Sequence, residues 1–173
     1  MNMRAGDKRP LIIAFLSLVA IAVSTYLFHE HILVHYSYSE GQSFCAISEV
    51  VNCAAAAKSD FSKFLGIPIS LWGLGLYLIT IIWALKIYSN PKKYEHLAVI
   101  SYAIFLGSVF YSITLGIVSW LIIKAFCPFC ISLYFLNVSI FLLLWSMLKN
   151  MISIKKIFDS IFKQLSDKST LFY

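Results

Sequence analysis

The sequence predicts an all-α integral membrane protein: a four-transmembrane-helix bundle with a long outer loop and a cytoplasmic amphipathic tail. Three observations carry this. Of the 173 residues, 60 % are apolar and only 13 % are charged, where a soluble domain carries roughly a quarter of its residues as Asp, Glu, Lys and Arg. The apolar residues gather in four charge-free stretches, Leu11–Phe28, Phe64–Leu85, Leu97–Ile123 and Ala125–Leu148, of 18, 22, 27 and 24 residues. A hydrocarbon core about 30 Å thick takes about 20 helical residues to cross, so each stretch suffices for one crossing. Third, Lys and Arg alternate between the two ends of those crossings. This excludes a water-soluble globule, a disordered tail and an extracellular mini-domain, and it leaves no room for a second folded domain. Residues 1–10 form a basic tail, 11–148 the membrane domain with its outer loop at 29–63, and 149–173 a second tail.

With the N-terminus in the cytoplasm, the inner side holds Arg4, Lys8, Arg9, Lys86, Lys92, Lys93, Lys149, Lys155, Lys156, Lys163 and Lys168. The outer side holds only Lys58, Lys63 and Lys124. Positive charge stays inside, so both termini are read as cytoplasmic. The net charge of +6 is topological and does not mark a nucleic-acid binder: no basic block interleaves with stacking aromatics. The first stretch ends in Ser24-Thr25-Tyr26-Leu27-Phe28-His29 without a small-x-small cleavage site. It reads as an uncleaved span rather than a signal peptide.

Helix 1 follows the basic tail and leads into the outer loop, the one long polar connection. Long loops in a compact protein usually serve function. Helix 2 is expected from near Phe64, with Pro68 in its first turn, where the missing N–H does no harm. Gly73 and Gly75 allow a close helix approach. Ser89-Asn90-Pro91-Lys92-Lys93 makes an inner turn into helix 3, and Lys124-Ala125-Phe126 alone links helices 3 and 4 on the outer side. After Lys149, the apolar residues Met151, Ile154, Phe158, Ile161 and Leu165 recur at helical spacing among lysines. That is the pattern of a cationic helix lying on the anionic inner leaflet. The Ala54–Ala57 run is too short to count as low complexity.

Four cysteines stand in two pairs: Cys45 and Cys53 in the outer loop, Cys127 and Cys130 at the outer mouth of helix 4. All four fall on the side where disulfides persist, although the orientation was drawn from Lys and Arg alone. Cys127-Pro128-Phe129-Cys130 is a C-x-x-C unit. On a helix, positions i and i+3 lie about 5–6 Å apart, within disulfide reach; the helix N-terminus favours a thiolate, while the apolar surroundings oppose ionisation, so sequence leaves the balance open. Cys45 and Cys53 would be about 12 Å apart on a straight helix. They therefore bridge across a bend or alternate between partners. Three readings compete: two static disulfides, a zinc site, and a dithiol relay between a soluble partner and something in the membrane. A C-x-x-C loop is short for a mere staple, and the eight-residue spacing is too wide for a zinc knuckle. A relay needs two accessible pairs able to form a mixed disulfide.

At these residues the chain resembles the vitamin K epoxide reductase family, which includes bacterial thiol–quinone oxidoreductases. The resemblance rests on Cys45-x7-Cys53, Ser59, Phe64-Leu65-Gly66-Ile67-Pro68, Trp72-Gly73, and Cys127-x-x-Cys130-Ile131-x-x-Tyr134-x-x-Asn137-Val138-Ser139, and covers roughly residues 11–148. It implies a four-helix bundle around a quinone of the ubiquinone, menaquinone or vitamin K type, with no metal. In that picture Cys130 faces the quinone and Cys127 exchanges with Cys53. Cys45 then takes electrons from a thioredoxin-like periplasmic or lumenal oxidoreductase. Ser59 matches the family's loop Ser/Thr near the active site, and Tyr134 the tyrosine that approaches a quinone carbonyl. Disulfide formation in exported proteins would be the outcome, in a bacterial inner membrane, with the cysteines on the periplasmic side.

The residues read on their own are compatible with this. Cys130 and Tyr134 share a helix face at i, i+4, where a phenol either donates to a carbonyl as charge develops or anchors the interface. Asn137, one turn further, is a costly amide at that depth that either serves the site or joins helices. Trp72, Tyr77 and Phe129 either wall a ring pocket or simply pack. Two departures stand out. Vertebrate members carry an Asn near the start of helix 2, whereas Pro68-Ile69-Ser70-Leu71-Trp72 offers only Ser70, which weakens epoxide reduction as the activity. Many bacterial members carry a fused thioredoxin-like domain, and this chain ends at Tyr173, so a separate partner is expected. The alternatives are a vitamin K quinone or epoxide reductase, and a non-catalytic membrane scaffold stapled by disulfides.

Overall fold

The computed structural model describes residues 7–36, 45 and 51–149. Among them are four helices long and apolar enough to cross a membrane: α1 (Arg9–Tyr36), α3 (Ile69–Ser89), α4 (Glu95–Val118) and α5 (Pro128–Lys149). In lipid a spanning segment must satisfy its own backbone polar groups, and the helix does so. A short helix, α2 (Cys53–Lys58), and a two-residue hairpin, β1 (Lys63–Phe64) with β2 (Ile67–Pro68), lie between α1 and α3. The order is α1, α2, β1, β2, α3, α4, α5, and the fold is all-α apart from that hairpin. The amphipathic helix expected after Lys149 falls outside the described residues.

The ends of the bundle differ in what ties them. At one end Arg9 pairs with Asp7 at 2.6 Å and donates to Ser146 Oγ at 3.2 Å, joining the start of α1 to the end of α5. Close by, the α3–α4 turn closes with Lys93 and Tyr94 N–H groups on the Asn90 carbonyl, and Lys86 and Lys93 sit 5.9 and 5.5 Å from the Tyr94 ring centroid. All four cysteines lie at the opposite end. α1 packs most extensively on α3, and α5 on α4 and α1. Phe105, Ile140, Leu144 and Met147 fill the centre, while Phe15, Phe110, Phe135 and Leu142 are exposed around the outside, where an apolar surface suits lipid.

Two sequence expectations change, and a short helix appears that the sequence did not anticipate. α1 does not stop at Phe28 but runs on to Tyr36, so the outer connection expected over 29–63 begins later. The reason is burial: Glu30 and His31 are each only 5 % exposed, facing protein rather than lipid, and need not end the helix. Helix 2 does not begin near Phe64. Phe64 and Ile67 pair across the hairpin, and its turn places Leu65 (φ 53°) and Gly66 (φ 79°) in the left-handed region. That region suits Gly and strains a helix start. Pro68 then stands just before α3. Last, Ala54–Ala57 forms the body of α2, where alanine's helix preference joins a cap from Asn52, whose side chain accepts from Ala55 N–H at 3.1 Å.

Candidate active site at the cysteine end

α4 does not end cleanly. Ser119–Ile123 widen into a π-helical turn, Lys124 takes a left-handed conformation (φ 53°), and Ser119 Oγ donates to the Ala125 carbonyl at 2.5 Å. Such turns recur at functional sites. This one leads the chain into Phe126 and Cys127. Val51 forms a parallel bridge with Phe126, and Asn52 N–H donates to the Phe126 carbonyl at 3.1 Å. Those backbone contacts hold the start of α2 against the start of α5, so that Cys53 meets Cys127.

The sulfur geometry follows. Cys45 and Cys53 form a disulfide with Cα atoms 5.5 Å apart, inside the ordinary range for such a bond. Cys53 Sγ lies 3.2 Å from Cys127 Sγ. Cys127 and Cys130 are both free. Cys127 caps α5: its sulfur accepts from the Cys130 N–H at 3.3 Å, and its carbonyl accepts from Ile131 N–H, with Pro128 at the first helical position, where it fits best. The Cys127 thiol is held below the usual thiol range by a hydrogen bond from the Cys130 thiol, assisted by the Cys130 and Phe129 N–H groups; burial and the Glu30 charge oppose this. Leu27, Ala56, Phe129 and Cys130 pack around the buried trio Cys45, Cys53 and Cys127. The three sulfurs of that trio lie within 4.8 Å of one another. Two of them are joined, however, and a disulfide sulfur is not the thiolate that zinc requires.

Below the sulfurs, all four long helices line a cavity of about 420 Å³, in the size range of small-molecule sites. Cys53, Cys127 and Cys130 line it, with apolar walls from Leu76, Ile104 and Leu115. On its lining, Tyr77 OH donates to Asn137 Oδ1 at 2.7 Å, and Asn137 Nδ2 donates to Ser112 Oγ at 3.1 Å. Asn137 thus joins α3, α4 and α5.

The residues singled out from sequence separate here. Cys53, Cys127, Cys130, Ser59, Trp72, Tyr134 and Asn137 all line the cavity. Ser59 spends its hydroxyl on the Ala56 carbonyl at 2.7 Å, and Trp72 donates its indole N–H to the Phe64 carbonyl at 3.3 Å. Phe129 turns away and packs on Tyr26, ring centroids 4.5 Å apart; its contact is with the sulfurs, not the cavity. Sequence reasoning missed Glu30, His31 and Ser24, which α1 brings to the lining. Their signal was present only as polar residues on the helical face that carries Leu27.

Four membrane-spanning helices with a buried sulfur cluster over an apolar cavity define a membrane protein equipped for thiol-based redox chemistry. The chain belongs to the vitamin K epoxide reductase family, which it matches over residues 11–145. No curated protein matched it.

Proposed function

We propose that the protein is a membrane thiol–quinone oxidoreductase that supports disulfide formation. Electrons pass from a thioredoxin-like oxidoreductase to Cys45–Cys53, then to Cys127–Cys130, then to a lipid quinone in the cavity. The observation that carries the reading is the 3.2 Å contact between Cys53 and Cys127 sulfurs on the lining of a largely apolar cavity that Cys130 also lines. The distribution of Lys and Arg supports an orientation with both termini on the cytoplasmic side and the cysteines on the outer side, in a bacterial inner membrane or the ER.

The partner's dithiol reduces the Cys45–Cys53 disulfide and leaves oxidised. Cys53 thiolate attacks Cys127 of a Cys127–Cys130 disulfide, forming a Cys53–Cys127 bond and releasing Cys130 thiolate. Cys45 thiolate then attacks Cys53 and expels Cys127, giving the pairing seen here: Cys45–Cys53 joined, Cys127 and Cys130 free. A leaving thiol of low pKa departs faster, which suits the hydrogen bonds that Cys127 accepts. As Cys127 and Cys130 close their disulfide they release two electrons and two protons, which a quinone held in the cavity would accept. Tyr134, one turn from Cys130 and lining the cavity, would donate a hydrogen bond to a reacting carbonyl.

Thiol trapping in intact membranes tests this, with and without quinone depletion, for the wild type and Cys130→Ala. The wild-type cysteines should become reduced when quinone is removed and re-oxidise when it returns, while Cys130→Ala should not re-oxidise. Four cysteines that stay oxidised and indifferent to quinone would make the bridges structural and the protein a stapled scaffold.

A further inference from the structure

Among the described residues, two hydroxyls on the cavity lining are buried with nothing to bind, those of Ser24 and Ser62. Ser24, on α1, is 0 % exposed, and its hydroxyl has no hydrogen-bond partner, yet it lines the cavity. An unpaired hydroxyl in an apolar interior is costly. Four other hydroxyls on the lining are occupied: Ser59 Oγ donates to Ala56 O, Ser119 Oγ to Ala125 O, Ser112 Oγ to Ser108 O, and Tyr77 OH to Asn137. Ser62 Oγ is also unpartnered, but it sits on a half-buried residue beside the hairpin. The space around Ser24 is kept by Gly73, where an added Cβ would lie 3.3 Å from Ser24 Oγ and 3.6 Å from the Tyr77 ring. Ser24 is one turn deeper along α1 than Leu27, which packs on the sulfurs, or about 4.5 Å at 1.5 Å per residue.

We infer that Ser24 donates a hydrogen bond to the quinone carbonyl that points into the bundle, away from Cys130. The two carbonyls of a para-quinone project in opposite directions. A ring with one oxygen at Cys130 and Tyr134 therefore turns its other oxygen inward, toward α1 and Gly73. Ser24 is a binding and orienting residue for the head group. This rests on the quinone reading above.

Ser17 supplies the control. It too is 0 % exposed with an unpartnered hydroxyl, two turns further down the same face of α1, but it is not part of the cavity lining. The test uses the purified full chain in nanodiscs, ubiquinone-1 as probe, and the variants Ser24→Ala, Ser17→Ala and Ser62→Ala. Three quantities are read: the Kd, the carbonyl stretching band of bound ubiquinone-1, and the thermal midpoint without quinone. Removing an orphaned hydroxyl should leave the midpoint of Ser24→Ala unchanged or higher. Its Kd should rise about five- to tenfold, the effect of one lost hydrogen bond, and one carbonyl band should move to the frequency of an unbonded carbonyl. Ser17→Ala and Ser62→Ala should bind as wild type. An unchanged Kd and band in Ser24→Ala, with the wild type binding normally, overturns the inference and leaves the quinone reading intact. An equal loss in Ser17→Ala also overturns it, because packing is then the cause. A wild type that does not bind ubiquinone-1 and whose cysteines ignore quinone in membranes removes both readings together.

Discussion

Around Phe105, Ile140, Leu144 and Met147 the long helices meet with none of those side chains more than 2 % exposed. Ten residues back along α5, at Cys130 and about 15 Å away at 1.5 Å per residue, the same helices part around a cavity. Small residues permit the closeness of the first region: Ala20 and Ala98 are both fully buried. The second region is held open by a π-helical turn, a hairpin and a short helix whose start is pinned by backbone bonds to Phe126. The two regions divide the labour. Dispersion contacts in the closed half resist unfolding and leave the open half free to hold a ligand and move sulfurs. Between them lies the Tyr77–Asn137–Ser112 network, which belongs to both.

Substitutions should separate the halves. The largest effect is expected at the open end: Cys127→Ser or Cys130→Ser should reduce quinone-dependent thiol oxidation to background while leaving the thermal midpoint near wild type. A fall in midpoint like that of a core variant would break the division. At the closed end, Leu144→Ala should destabilise the bundle by about 2–5 kcal/mol through lost contacts and a residual cavity, read by thermal or denaturant unfolding, with quinone affinity unchanged. Tyr77→Phe lies on the boundary. It leaves Asn137 Oδ1 without its donor and should cost about 1 kcal/mol, with a small loss in both stability and quinone affinity.

A subtler change concerns Cys127. Its thiol is held low chiefly by Cys130, so its thiolate is present at lower pH than that of an ordinary cysteine. The pH midpoint of Cys127 alkylation, measured with Cys45–Cys53 kept oxidised, should lie below the usual thiol value. In Cys130→Ala it should move up, because the largest stabilising group is gone. The smallest effect belongs to Asp7, held below the ordinary carboxylate value chiefly by the Arg9 side chain. Both partners are partly exposed, so Asp7→Asn should cost less than about 1 kcal/mol. The contribution is present above the pKa of Asp7 in the unfolded chain and is lost as pH falls through its lower folded value. Wild type and variant should therefore converge in acid.

The closed half was legible in the sequence because length and apolar composition alone make a spanning helix, and four stretches gave four helices. The open half was legible only in its sulfurs. C-x-x-C spacing places Cys127 and Cys130 at a helix start whatever surrounds them, but the approach of Cys53 to Cys127 depends on Val51 and Asn52 binding the Phe126 backbone, which leaves no pattern in the side chains. The polar residues of α1 misled in a specific way. Glu30 and His31 look like the beginning of a loop, yet they continue a helix because the protein interior, not lipid, receives them. Phe64–Pro68 failed for the opposite reason: its apolar residues suit a helix, and only Gly66 hinted at the turn. Ser24 carried only the faint signal of a polar residue on the face of α1 that holds Leu27, since one serine in an apolar span is unremarkable until a cavity opens beside it.

The central claim is that Cys53 and Cys127 exchange directly. A Cys45→Ala/Cys130→Ala variant removes the resolving sulfur on each side and leaves those two, 3.2 Å apart in the wild-type structure, with only each other. Membranes carrying it should yield a Cys53–Cys127 disulfide, identified as a linked peptide pair by mass spectrometry and sensitive to dithiol reduction. Two freely alkylated cysteines, with no linked peptide under oxidising conditions, would show that the sulfurs do not meet for exchange and would contradict the relay.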